Sequence, residues 1–264
     1  MKFILAATYH DPDGRLYAQF SRTLPTLTAV FSSIAIQASA IANSHTLQLL
    51  ADYGAVIQQT TADQDKEAAS LGRSRRQAIA LALRQDADYI LLCDGDRALH
   101  WAEFYPDELA QATQAITAYD FTVVGRTPRA FASHPHIQTD TEQIVNRVFA
   151  QLSGLDWDIT AATRGLSCDA ATWIVNESQD DSLGVDGSWP LLLQRQGAFK
   201  LGYVETEGME FETADRYQAE VEAVGGYQNW LNQLDADPHK WLHRLDFARI
   251  EIEAMMAEVR RFGD

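Results

Sequence analysis

The chain has little that would staple, anchor or steer it. Its 264 residues include two cysteines, Cys93 and Cys168, too few for a disulfide framework and without the spacing of a thiolate metal site. A reducing compartment is therefore expected, with Cys93 a small apolar strand residue. No run of about 18 apolar residues marks a membrane span. The opening MKFILAATYHDPDG has five apolar residues after Lys2, short of a signal-peptide core, and is expected to form a first strand in a soluble, cytoplasmic protein. Basic residues are scarce as well. The 21 Lys and Arg stand against 37 Asp and Glu, and the formal charge of −16 repels nucleic acid and anionic membrane surfaces. An anionic ligand then needs a local basic patch or a metal.

What is present is a globular composition, 46% hydrophobic and 22% charged, in a length that suits one large domain or a domain with a C-terminal extension. Apolar runs alternate with helical patterns over the first 125 residues. FILAAT (3–8), SSIAIQAS (32–39), GAVIQQT (54–60), DYILLC (88–93) and DFTVVG (120–125) read as strands, and 17–29, 43–52, 72–85 and 103–117 as helices. Interleaving of this kind implies βαβ units, hence an α/β fold with a doubly wound, mainly parallel sheet and helices on both faces. The second half is less regular. It reads as a helix near 140–153, a Gly- and Asp-punctuated stretch 154–170, a helix over about 186–196 and a strand FKLGYVET (199–206). A helical C-terminal tail follows, built from AEVEAVGGYQNWLNQL and KWLHRLDFARIEIEAMMAEVRRF.

The sharpest motif is DYILLCDGD, which delivers Asp94 and Asp96 to the end of the fourth predicted strand. In open α/β sheets ligands collect beyond the carboxyl ends of the strands. On an extended segment residues i and i+2 share a side, and Gly95 lets the backbone approach a ligand closely. Two hard oxygen ligands suit Mg²⁺ or Mn²⁺, with water and phosphate filling the remaining positions. An ordinary polar turn is the plainer account of Asp-Gly-Asp. The arginines of SLGRSRRQAIALAL, one helix earlier, favour the ligand site. Arg73, Arg75 and Arg76 fall in the first turn of the expected helix, where the dipole is already positive and an anion would compensate. Pairing with Asp63, Asp65 and Glu67 is the alternative for them.

With ILAATYHD and LGRSRRQAIALAL ahead of DYILLCDGD, residues 1–126 resemble the nucleotide-binding half of GT-A-fold glycosyltransferases, with weaker echoes to about 210. The resemblance implies a GT-A-like domain over 1–212, divided into a nucleotide-binding half (1–126) and an acceptor half (127–212), with 213–264 a helical extension packed on it. It implies a metal-dependent transfer of a sugar from a UDP- or GDP-sugar to an acceptor hydroxyl. Asp94 and Asp96 would lie beside ribose and diphosphate, with Asp96 the direct ligand of Mg²⁺ or Mn²⁺. Thr8, Arg73, Arg76 and Arg164 would contact the donor. Asp186, at the start of a helix, would face the acceptor as base or anchor, or would simply cap that helix. Relatives often complete the metal shell with a histidine after the last strand. Here EGMEFETADRY (207–217) has none, so Glu212 or water takes that place. His134 and His136, flanking a proline, read as surface loop, and Trp101 as core. A non-catalytic nucleotide-sugar-binding protein of the same fold is the second reading. A DxD phosphohydrolase fits poorly, because its motif follows the first strand and the wording here is DGDRA.

Overall fold

The computed structural model describes residues 1–61 and 67–262. Its centre is a seven-stranded sheet of order β3-β2-β1-β4-β6-β5-β7. The strands are β1 (Phe3–Tyr9), β2 (Ser33–Ala38), β3 (Val56–Gln59), β4 (Tyr89–Asp94), β5 (Phe121–Arg126), β6 (Thr163–Ser167) and β7 (Leu201–Thr206). β1 to β4 pair in parallel, as do β5 and β7, while β6 is antiparallel to both of its neighbours, β4 and β5. Two reversals restore direction, so β5 and β7 run with β1–β4. Six carboxyl ends and the amino end of β6 therefore meet at one edge.

Residues alternate strictly between two cores, as the two-residue period of a strand requires. Phe3, Leu5, Ala7, Leu91 and Cys93 face one core; Ile4, Ala6, Ile90 and Leu92 face the other. The first core is covered by α1 (Tyr17–Val30), α4 (Gly95–Phe104) and α5 (Pro106–Ala115), and Trp101 is fully buried in it, as expected. The second is covered by α3 (Glu67–Leu83), α7 (His136–Ser153), α8 (Cys168–Glu177), α9 (Val185–Gln196) and the long α13 (Pro238–Phe262), which packs on α7 and α9. The remaining helices are α2 (Ser44–Asp52), α6 (Pro128–Ala132), α10 (Thr213–Arg216), α11 (Gln218–Ala223) and α12 (Tyr227–Ala236).

Four expectations change. TRGLS is a central strand, not part of an irregular stretch. The helix expected from 72 begins at 67, so the arginines are beyond its first turn. The helix expected over 103–117 is α5 with a 3₁₀ turn after it (Ile116–Ala118), and a helix that was not expected, α4, starts at Gly95 directly after β4, so Asp96 is helical and does not continue the strand. A Cβ at Gly95 would stand 2.9 Å from the Thr8 carbonyl oxygen, which is why this junction takes glycine. Finally, the helix expected over 219–234 is two, α11 and α12, parted at Gly225 and Gly226 with φ of +84° and +114°. Among the described residues no helix is long and apolar enough to cross a membrane.

Candidate active site

The order 3-2-1-4 puts the change of winding direction between β1 and β4, where ligands of doubly wound sheets bind. Thr8 and Asp94 are register partners there, and the Thr8 hydroxyl donates to Asp94 Oδ1 at 2.6 Å. Asp94 also receives Arg75, with Nη2 at 2.7 Å from Oδ2. The same guanidinium donates through Nη1 to Asp186 Oδ1 at 3.0 Å, so one buried arginine joins β4 to the first turn of α9. Burial alone would raise the Asp94 pKa, but Arg75 and Thr8 hold it below the usual carboxylate range.

Asp186 is buried and makes no side-chain cap to its helix, which removes the capping account of this residue. Its other partner is Arg164, placed at the amino end of β6 by pairing with Leu92 and Val123. Arg164 is 1% exposed and donates to the carbonyl oxygens of Thr163, Ile159 and Asp186 at 2.8, 2.6 and 2.9 Å, and to Asp186 Oδ1 at 3.4 Å. Burial drives its pKa below the ordinary guanidinium value. The guanidinium thus faces the chain's own oxygens, away from any open crevice.

The second aspartate has different surroundings. Asp96 accepts from Arg216 Nη2 at 3.2 Å, and its side chain is 27% exposed. Glu212, at the N-cap of α10, accepts from Arg97 Nη2 at 3.0 Å through Oε1, while its buried Oε2 has no hydrogen-bond partner. Burial first, and the facing charge of Glu212 second, raise the Asp96 pKa despite the pull of Arg216. This is a pair of facing acids, each held by one arginine and together presenting only oxygen donors, at a solvent-reachable strand end. It fits a hard divalent cation held by one or two carboxylates. It is not a closed cage: no three His, Cys, Asp or Glu side chains among the described residues converge on one metal position. Asp94, turned to Arg75, stands apart from the expected trio of Asp94, Asp96 and Glu212.

Arg73 and Arg76 both pair with Asp181 in the loop between α8 and α9, and Arg76 also binds the Asp180 carbonyl. They tie that loop to α3. Asp63, Asp65 and the Glu67 side chain, considered as their partners, lie outside the described residues. His136 is exposed as expected, but His134 is buried against Phe211, 5.2 Å between ring centres, and burial together with Arg126 and Arg97 lowers its pKa.

Three features escaped the sequence reading. Arg75 was grouped with Arg73 and Arg76 at an anion site, but it shares a helical stripe with buried Ala78, Ile79 and Ala82, the signal that it points inward. Arg126, at the end of β5, is buried with Asp158 at 2.8 Å and Glu142 at 2.7 Å. Glu251 of α13, on the stripe of Ala248 and Met255, is buried with Oε2 unpartnered, and burial plus the charges of Asp186 and Glu142 raise its pKa well above the carboxylate range.

No protein-family model and no curated protein matches the chain. Solved structures do. Glucosyl-3-phosphoglycerate synthase from Mycobacterium tuberculosis, in complex with Mn²⁺, UDP-glucose and phosphoglyceric acid, superposes with a TM-score of 0.57 at 11% identity, over 100% of this chain and 81% of that one. The complex with Mn²⁺, UDP and phosphoglyceric acid gives 0.56 at 10% identity over 98% and 78%. The complex with Mn²⁺, UDP and glucosyl-3-phosphoglycerate gives 0.54 at 9% identity over 100% and 81%. At such identities the likeness establishes the fold, which is GT-A-like.

Proposed function

We propose that the chain is a metal-dependent glycosyltransferase that moves a sugar from a nucleoside diphosphate to an acceptor hydroxyl. The observation that carries this reading is Asp96, just past the carboxyl end of β4, facing Glu212, the first with a raised pKa and the second with an unpartnered buried oxygen, in a fold whose solved neighbours hold Mn²⁺ and UDP. Asp96 and Glu212 would hold Mg²⁺ or Mn²⁺, with Asp94 behind them setting the strand end through Thr8 and Arg75. The cation would supply positive charge to the departing diphosphate. Arg216, already on Asp96, would add a guanidinium beside the same oxygens, a fixed charge aimed at where negative charge develops. Asp186 belongs to the acceptor side. Its two guanidinium partners suit a group that orients an acceptor more than one that takes its proton.

That last point also favours the second reading, a nucleotide-sugar-binding protein without turnover. Calorimetric titration with UDP, GDP and their sugars, with and without Mn²⁺, tests the site. The expected result is metal-dependent nucleotide binding that Asp96→Ala abolishes. Binding that ignores both the metal and the substitution would refute the site, and a donor-hydrolysis assay then separates transferase from binder.

A further inference from the structure

The segment after β7 carries Glu212 and Arg216, yet forms little regular structure before α10. It is held by side chains. Glu108 accepts from the backbone N–H groups of Glu207 and Gly208 at 2.7 and 2.8 Å, and Ser133 Oγ accepts from that of Phe211 at 2.9 Å. Glu210 takes Arg129 at 2.6 Å and the Tyr105 hydroxyl at 2.9 Å, and Asp215 takes Gln19 at 2.7 Å. One residue touches both ends of the stretch that brackets Glu212. His100, buried on α4 one helical turn after Asp96, places Nδ1 2.8 Å from Asp215 Oδ2 and Nε2 3.2 Å from Glu210 Oε1.

We propose that His100 is a positioning residue that braces the stretch from Glu210 to Asp215 against α4 and so sets Glu212 opposite Asp96. A neutral imidazole has a single N–H, whereas here both ring nitrogens face carboxylate oxygens, so the brace is an imidazolium donating twice. The direction of its pKa agrees: burial opposes the charge, but the hydrogen bond to Asp215 and its charge prevail and raise it. The Phe104 ring, 4.7 Å away at the end of the same helix, and the Tyr105 ring, 6.3 Å away just beyond it, flank the imidazole. Since Asp96 and His100 lie four residues apart on α4, they share one face of that helix. The same face then presents Asp96 and grips the segment that carries its partner acid. The chemistry is that of an outer-shell group, which orients a ligand without touching the cation.

The part of this inference that concerns the cation rests on the functional reading above, and the part that concerns the brace does not. Two measurements separate them. Hydrogen exchange on the metal-free chain reads the brace: in His100→Gln, whose two N–H bonds leave one nitrogen, the amides of 209–216 should exchange about tenfold faster, with the sheet unchanged. Calorimetry with Mn²⁺ alone reads the positioning: affinity should fall about tenfold or more while the thermal midpoint stays within about 2 °C of wild type. Asp215→Asn weakens the same link from the other end without opening the helix packing, and should reproduce both effects if His100→Gln folds poorly. Unchanged exchange in both variants overturns the brace. Faster exchange with unchanged Mn²⁺ affinity overturns the positioning of Glu212. A wild-type chain that binds neither Mn²⁺ nor UDP defeats the functional reading instead, and the exchange result still decides the brace.

Discussion

Arg75→Met is the most informative perturbation, because a single buried cation serves two acids. Its side chain is 3% exposed and reaches Asp94 at 2.7 Å and Asp186 at 3.0 Å. Removing one partner of a buried ion pair costs about 3–5 kcal/mol, since the remaining charge stays desolvated. Both acids keep a second partner, Thr8 for Asp94 and Arg164 for Asp186, and the Asp94 side chain is 24% exposed, so the lower part of that range applies, about 3–4 kcal/mol. For a chain of this size, at about 2 °C per kcal/mol, that lowers the thermal midpoint by roughly 6–8 °C. The pH dependence has a definite sign. In the wild type Asp94 has a depressed pKa, so its contribution is fully present above the unfolded carboxylate value and is lost as pH falls through the folded one. In Arg75→Met Asp94 has lost that cation, its pKa moves up, and protonation relieves the penalty as pH falls. Scanning calorimetry of both proteins at about pH 8 and about pH 5 should show the gap narrowing at the lower pH. A loss below about 1 kcal/mol, or a gap that is unchanged or wider at the lower pH, would refute the assignment of Arg75 as the shared counter-ion.

Three other outcomes follow from the same charges and contacts. Glu251→Gln should remove a pH dependence: the raised pKa of Glu251 makes wild-type stability fall as pH rises from the unfolded carboxylate value toward the folded one, so the variant gains on the wild type as pH rises, measured by urea unfolding across that range. Asp96→Asn should leave the metal-free fold intact, because it removes an acid whose pKa is already raised. It should also abolish Mn²⁺ stabilisation, which in the wild type is about 2.7 kcal/mol at a hundredfold excess over Kd. A variant that Mn²⁺ stabilises as well as wild type would count against Asp96 as a ligand. Gly208→Ala should destabilise by about 1–3 kcal/mol, since its Cβ would stand 2.0 Å from the Trp101 ring in the fully buried core, and a thermal midpoint equal to wild type would show that the indole can move.

Six strands were legible, the central ones because strands buried on both faces read as unbroken apolar runs, as in FILAATY and YILLC. β6 was not, for it holds one large apolar residue, Leu166, in TRGLS. Gly165 and Arg164 are there for reasons that appear only in three dimensions: a Cβ at 165 would stand 2.5 Å from Ile116, and the guanidinium at 164 finds the carbonyl oxygens of Ile159 in the preceding loop and of Asp186 in α9. The place of Asp94 and Asp96 was legible from the strand that ends at them. Their partners were not, because placing the start of α3 five residues late put Arg73 and Arg76 in a first turn they do not occupy. Helical spacing assigns Arg75 to the buried stripe and the other two to the side that meets Asp181. Glu212 was chosen by default of a histidine, and its orphaned Oε2 is an independent physical reason to single it out.

The two aspartates of one motif thus meet opposite electrostatic fates, and solvent access separates their consequences. Asp94 is neutralised by Arg75, and Asp186 by Arg75 and Arg164. Burial and the charge of Glu212 raise the Asp96 pKa despite Arg216, and burial and the charges of Asp186 and Glu142 raise that of Glu251. A buried acid in that position either takes a proton or attracts a cation. Glu251, 6% exposed beneath α13, has only the first course open to it. Asp96, with 27% of its side chain in contact with solvent at the edge where the strands end, has both. On the function proposed above, a site that is to draw a diphosphate to a chain of net charge −16 would need to recruit a divalent cation, which acids fully neutralised by arginines would not do. An acid of raised pKa where solvent can reach it, two residues from a neighbour that Arg75 neutralises, would meet that need with a single Asp-Gly-Asp.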